Sequence, residues 1–338
     1  MKYTKHILIV LAIFFSFSTL AQDIHFSQFY ASPLTLNPAL TGVFDASYRF
    51  AGIYRNQWRS ISDGPYSTYA LSYDMKLFEH KMTKNIFGGG VSAMQDKSGD
   101  GKLTNLTFMV SGSYHITLDK KAKHLIGVGV QLGYVQKTVK LSNLNFPSQH
   151  NGTEFDPSLS NAENIGDESM AYFDIQTGLT WFYQISEKVG MYNGGSFFHL
   201  TRPSESFLND GSNKLPMRYA IHGGFRIKTG KQIYFTPNYV VMKQDKAREI
   251  NLGTGFEYHF TQQEIIAGIG CWYRFNDAPV ALASLEYKAV RLGISYDINT
   301  SNLKPASDNR GAFEVSIIVL GKIKEPDTGP LLKPCPRL

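Results

Sequence analysis

Beyond residue 21 the chain has no run of about eighteen apolar residues, so no helix in it can cross a bilayer. It has instead about fourteen stretches in which apolar residues alternate with polar or small ones. A period of two puts one kind of residue on each face of a strand. About ten such residues span a membrane, with the apolar face to lipid and the polar face to a lumen. Only helices and closed barrels satisfy every backbone group in lipid. The expected fold is therefore all-β, a transmembrane antiparallel β-barrel of about fourteen strands.

Four stretches alternate most cleanly. In 66–75, Tyr69, Leu71, Tyr73 and Met75 oppose Thr68, Ala70, Ser72 and Asp74. In 124–136, Ile126, Val128, Val130, Leu132 and Tyr134 oppose Gly127, Gly129, Gln131 and Gly133. In 171–183, Phe173, Ile175, Leu179 and Trp181 oppose Asp174, Gln176, Gly178 and Thr180. In 217–227, Met217, Tyr219, Ile221 and Phe225 oppose Arg218, His222 and Arg226. The other strands are expected at 47–56, 86–95, 103–117, 188–200, 232–243, 248–260, 264–274, 279–287, 290–299 and 311–320. Strands of a soluble β-sandwich alternate too, but they average about half this length.

The gaps predict the topology. Even-numbered gaps such as 118–123, 184–187, 228–231 and 261–263 are short, whereas the odd-numbered ones include 138–170, 201–216 and 300–310. Outer-membrane barrels have short periplasmic turns and longer outer loops. An even number of strands also returns the chain to the side on which it began. Both termini are thus expected in the periplasm. Tyr54, Trp58, Trp181, Tyr183 and Tyr273 fall near strand ends, where an aromatic girdle belongs.

Lys2 and Lys5, the apolar run 7–17 and the small residues at Thr19-Leu20-Ala21 read as a signal peptide over 1–21. Without it the formal net charge falls from +6 to about +4, with no basic run that would suit nucleic acid. Cys271 and Cys335 lie far apart and are read as two unpaired thiols rather than a disulfide framework.

Residues 22–46 do not alternate. Pro33 and Pro38 keep them out of a ladder. Yet Phe26, Phe29, Tyr30, Leu34, Leu36 and Leu40 are too apolar for a free tail, so the segment must bury itself in the barrel mouth or on a partner. The chain thus divides into a signal peptide (1–21), a non-barrel periplasmic leader (22–46), the barrel (47–320) and a Pro-rich periplasmic tail (321–338).

Four segments carry a family resemblance. Phe26-Ser27-Gln28-Phe29-Tyr30 followed by Leu36-Asn37-Pro38-Ala39-Leu40-Thr41-Gly42 resembles the mature start of PorP/SprF proteins. Tyr54-Arg55-Asn56-Gln57-Trp58 resembles their first-strand motif, and Gly311-Ala312-Phe313-Glu314-Val315-Ser316 their last strand. Cys335-Pro336-Arg337-Leu338 resembles their closing tetrapeptide, except that Leu338 stands where an aromatic residue is common. The resemblance implies an outer-membrane barrel of the Bacteroidetes type IX secretion system, often tied to gliding motility. Its implied partners are the ring and translocon proteins of that machine, secreted cargo with a C-terminal secretion domain, and outer-membrane lipid. Phe26, Phe29, Tyr30, Asn37, Pro38, Cys335, Pro336 and Arg337 are the expected partner contacts.

A search for chemistry returns structural explanations. Gly127-Val128-Gly129 with Gly133 lies within a strand and lacks nucleotide-loop spacing. The segment from Asp96 to Gly101 starts like a calcium loop, but Thr107 stands where the bidentate Glu is required. His115, His222 and His259 lie on polar faces of different strands without metal-ligand spacing. No nucleophile–base set marks an enzyme, and no cofactor or metal is expected. Arg218, Arg226 and Arg291 with Asp174, Glu257 and Asp297 read as lumen charges that pair across the barrel. The expected role is binding, with a passive porin as the alternative. The apolar leader and the Pro-rich tail favour binding, since a diffusion pore needs neither.

Overall fold

The computed structural model describes residues 23–57, 64, 66–79, 84–99, 101–141, 144, 146–156, 158–160, 168–207, 213–301 and 304–323. The segment expected to be a signal peptide, Trp58 and most of the Pro-rich tail lie outside the described residues.

The strands are β1 (Tyr48–Gln57), β2 (Tyr66–Leu77), β3 (Ile86–Ser98), β4 (Leu103–Thr117) and β5 (His124–Thr138). They continue with β6 (Ser169–Ser186), β7 (Val189–Phe198), β8 (Arg218–Lys228), β9 (Ile233–Phe235) and β10 (Asn238–Gln244). Then come β11 (Ala247–Phe260), β12 (Ile265–Arg274), β13 (Ala278–Tyr287), β14 (Val290–Ile298) and β15 (Arg310–Gly321). Each pairs antiparallel with its neighbour, and β1 pairs with β15 from Tyr48↔Gly321 to Gln57↔Ala312, which closes the sheet. β9 and β10 form one stave. Both pair with β8 and β11. Pro237 between them has no N–H to donate, but its carbonyl still accepts from Phe225 N–H at 2.9 Å. The wall therefore has fourteen staves, as the alternation indicates.

The two faces separate as expected. Val110, Val130, Leu132, Ile221 and Ile269 point outward and are exposed. Aromatic residues stand toward both strand ends, with Tyr54 and Tyr69 4.8 Å apart at one end and His124, Trp181 and Tyr183 stacked at the other. Val130 is 48% exposed while Gln131 is 1% exposed, so adjacent residues do face opposite sides. The strands rise to unequal heights. β6 has 18 residues and β14 has 9. About ten suffice to span lipid, so β6 carries the wall well past it. This explains why the observed strand outruns the 171–183 stretch: polar residues there continue the ladder after alternation against lipid ends.

The turns after β2, β4, β6, β8, β11 and β13 define a short-turn end, where Tyr48 and Gly321 also lie. The longer connections after β5, β7 and β14 define a loop end. The leader is non-barrel, as expected, but it is neither confined to a mouth nor outside the wall. It enters at the loop end, where Asp23 meets Gln244 and His199, and runs down the lumen to Ser47, next to Gly321 at the short-turn end. The two ends of the described chain thus lie at opposite ends of the barrel, not together as strand counting suggests. Strand parity relates the start of β1 to the end of β15 and says nothing of residues that precede β1. Within the lumen the leader is built of short helical turns at Phe29–Ala31, Pro33–Leu36 and Pro38–Leu40, two of them with Pro at the first helical position. Its Phe29, Leu36, Leu40 and Val43 form the molecule's main core with Ile86, Leu125, Phe182, Val240, Trp272 and Val280 of the wall.

Candidate functional site

A lumen threaded by its own chain must satisfy that chain's backbone. The wall does so in four tiers. At the loop end, Asp23 N–H donates to Gln244 Oε1 at 2.8 Å. The Asp23 carboxylate lies 2.5 Å from His199 Nε2 and 3.4 Å from Arg218. His199 Nδ1 lies 2.8 Å from Asp174. An imidazole between two carboxylates donates from both nitrogens only as imidazolium. Burial disfavours that charge, but hydrogen bonds to Asp174 and Asp23 outweigh it and raise the His199 pKa to about 9.

The second tier holds Ser27 and Gln28. Their backbone N–H groups donate to the two oxygens of Glu314 at 2.8 and 2.9 Å. Ser27 Oγ donates to Asp297. Arg55 bridges Glu314 and Asp297, and Arg274 donates to Asp297 at 2.7 Å. Two guanidinium groups thus face two carboxylates, all four buried. A buried charge persists when it is paired and hydrogen-bonded, and these are. Removing either arginine would strand a carboxylate beside the leader.

The third tier centres on Asn37, which is fully buried. Its Nδ2 donates to Leu179 O at 3.0 Å and Gly195 O at 3.3 Å, and lies 3.0 Å from His222 Nε2. Its Oδ1 accepts from Ala39 N–H at 2.8 Å, capping the Pro38–Leu40 turn. The wall beneath is glycine. A Cβ added at Gly129 would overlap the Pro38–Ala39 peptide, and one at Gly178 would overlap the Asn37 amide. These glycines are inward and small, as their alternation suggests, but the reason is specific: the leader's backbone lies on them.

The fourth tier is at the short-turn end. His115 Nε2 lies 2.8 Å from Ala39 O, Ser113 Oγ donates to Thr41 O, and Arg49 donates to Leu40 O. Asp74 accepts from Gly42 N–H at 2.8 Å while holding Arg49 at 2.8 Å. Gly42 has φ +72° and touches Gly88, so no larger residue suits it.

The structure brings Phe26, Phe29, Tyr30, Asn37 and Pro38 together, but against the chain's own barrel. Cys335, Pro336 and Arg337 lie outside the described residues, and Cys271 is exposed on the lipid-facing side of β12. The lumen charges do pair, some of them through residues beyond these six. Arg226 and Arg291 both reach Glu257. Arg218 and Asp174 meet through Asp23 and His199, and Asp297 pairs with Arg55 and Arg274. The three polar-face histidines do not converge: His115 meets Ala39, His222 meets Asn37, and His259 meets Glu257. Among the described residues no group of three His, Cys, Asp or Glu could hold a metal. Sequence reasoning missed Asp23, His199 and Glu314. Glu314 and Arg55 were within reach, since both sit in motif segments: Glu314 holds Ser27 and Gln28, and Arg55 holds Ser27. The mature-start, first-strand and last-strand motifs converge on one point in space.

Above the leader, the loop end opens into a vestibule of about 940 Å³. Asp23, Ile24 and Thr35 form its floor, and Gln131, Lys137 and Tyr172 are part of its wall. An ion pair between Lys137 and Glu205 ties the β7–β8 loop to the end of β5.

Several solved structures are similar to this chain. The toluene transporter TbuX of Ralstonia pickettii aligns over 85% of this chain and 91% of its own, with 11% identity and a TM-score of 0.48. The CymD monoaromatic hydrocarbon channel aligns over 87% and 94%, with 12% identity and a TM-score of 0.49. The KdgM porin aligns over 80% and 98%, with 8% identity and a TM-score of 0.37. Among curated proteins none matches the chain. The family model of the type IX secretion system membrane protein PorP/SprF matches residues 18–319. The closed barrel and the convergence of its three motif segments thus have a family, and the chain belongs to the PorP/SprF membrane proteins of the type IX secretion system.

Proposed function

We propose that this protein acts by binding, as an outer-membrane component of the type IX secretion and gliding machinery. Secreted cargo with a C-terminal secretion domain engages the vestibule and the long loops. Ring and translocon proteins engage the short-turn end, which faces the periplasm, together with the Pro-rich tail. The result is support of cargo display at the cell surface. The observation that carries this reading is the filled lumen. A leader clamped in four tiers obstructs passage along the axis while leaving a walled vestibule free at one end. A passive porin has no use for such a segment. The protein performs no chemistry of its own in this reading.

The test is affinity isolation of the tagged protein from native membranes, paired with measurement of cargo on the cell surface when residues 22–46 are deleted behind an intact signal. Recovery of secretion partners and loss of surface cargo, with a heat-modifiable barrel still present, are expected. Normal surface cargo without the leader, or steady open-pore conductance by the intact protein in planar bilayers, would overturn the reading.

A further inference from the structure

The short-turn end carries a ring of lysines. Lys84 precedes β3, and Lys120, Lys121 and Lys123 fill the β4–β5 turn. Lys188 and Lys231 lie in the next two turns, Lys288 joins β13 to β14, and Lys322 follows β15. All eight are exposed, and the described ion pairs include none of them. The exposed carboxylates described at this end are Asp45, Glu187 and Glu264, and Glu79 in the β2–β3 turn pairs with Lys76. Asp119 is half-buried and accepts from the backbone N–H groups of Lys121 and His124. At the loop end Lys137 pairs with Glu205 and Arg274 with Asp277, while Lys97, Lys102, Lys140 and Lys246 are exposed there. What sets the short-turn end apart is that its exposed lysines follow one another around the rim with few carboxylates between them.

The lysines sit beside outward-facing aromatic residues. His124 stacks on Tyr183 at 4.1 Å and parallel to Trp181 at 6.1 Å. Phe78 and Phe87 pair at 5.9 Å, and the Lys288 ammonium stands 5.2 Å from the Tyr287 ring. Aromatic girdles mark the level of lipid headgroups. Flexible lysine stems beside them carry their charges into that layer. The charges also go around the barrel, at every connection of this rim except the β11–β12 turn. A surface that meets the protein on all sides is a lipid leaflet, whereas a docked protein would favour one arc.

We propose that the short-turn lysine ring binds the anionic headgroups of phospholipids in the adjoining leaflet, and so fixes the depth of the barrel in the membrane. Each lysine near such a surface adds attraction that salt weakens. The probe is the full-length protein in vesicles of phosphatidylcholine and phosphatidylglycerol in equal parts, gently extracted, with co-purified lipid counted by native mass spectrometry. Retention of phosphatidylglycerol over phosphatidylcholine by about threefold or more is expected. The triple variant Lys120→Gln, Lys121→Gln, Lys123→Gln should cut that ratio, and substituting all eight should bring it to parity. Arginine at the same three positions should preserve it, as should Lys97→Gln with Lys102→Gln at the loop end. The three turn lysines are exposed and outside the wall, so the triple variant decides the matter even where the eightfold one fails to fold. Parity in the wild type, or an unchanged ratio in the triple variant, overturns the proposal. So does loss of an acidic protein partner from native membranes with the lipid ratio unchanged, because the ring would then be a protein interface.

Discussion

Replacing Asn37 by Ala tests whether the leader is held by its polar tiers or merely by its apolar bulk. The substitution removes the donor to Leu179 O and Gly195 O and the acceptor for Ala39 N–H. It also deprives His222 of its neighbour at 3.0 Å. Asn37 is 0% exposed and His222 is 1% exposed, so water does not replace what is lost. A buried polar group left unmade costs about 1–3 kcal/mol, and an ordinary hydrogen bond contributes about 1 kcal/mol net. With Ala39 N–H and the His222 ring both stranded, the leader's seat should weaken by about 3–5 kcal/mol. That corresponds to opening at least about 100-fold more often. The wall keeps its interstrand ladder, so the barrel should remain heat-modifiable. Hydrogen exchange resolved by mass spectrometry reads the two regions separately, because exchange follows local opening. Amides of residues 23–46 should exchange about 100-fold faster in the variant, and those of β4–β6 should not change. Unchanged protection of the leader would refute the reasoning, and equal loss of protection in leader and wall would show that the two fold as one unit.

Gly129→Val should displace the leader and open the lumen to ions, whereas Gly112→Ala, with no atom within 4 Å of its Cβ, should be silent within about 0.5 kcal/mol; single-channel conductance and thermal melting check both. Val130→Arg should lower the yield of heat-modifiable barrel by the about 2–4 kcal/mol that a basic side chain costs at lipid midplane. Gln131→Arg should be far milder, because Gln131 lines the vestibule; equal yields would shift the register by one. His199 donates to Asp23 and Asp174 together only while protonated, and its pKa is raised in the fold from 6.5 to about 9. The clamp therefore contributes fully below about pH 6.5 and fades as pH rises through about 9, a span of roughly 3 kcal/mol. Exchange of the amides near Asp23 should accelerate across that rise in the wild type and show no such step in His199→Gln.

Much of this protein was legible as a sequence. Alternation located each stave, because a side-chain period of two is a property of extended backbone and needs no knowledge of the partner strand. The same rule placed Val130 toward lipid and Gln131 toward the lumen. Pro33 and Pro38 excluded the leader from the ladder for an equally local reason, a missing N–H and a fixed φ. Gap lengths separated a short-turn end from a loop end. The stave at β9–β10 reads as one despite Pro237, since β9 and β10 pair in the same register with β8 and β11 on either side of it.

Only the tertiary structure decided where the leader goes and what holds it. Asn37 meets residues of β6, β7 and β8, and Ser27 meets Arg55, Arg274, Asp297 and Glu314 from four other strands. Nothing near Asn37 or Ser27 in the chain names those partners. They are set by which inward residues share a height in the lumen, and that height follows from the tilt and stagger of the whole closed sheet. For the same reason Gly129 reads as one more small inward residue until the Pro38–Ala39 peptide is seen lying on it. Local geometry determined the wall of this protein; closure of the wall determined what its polar face was for.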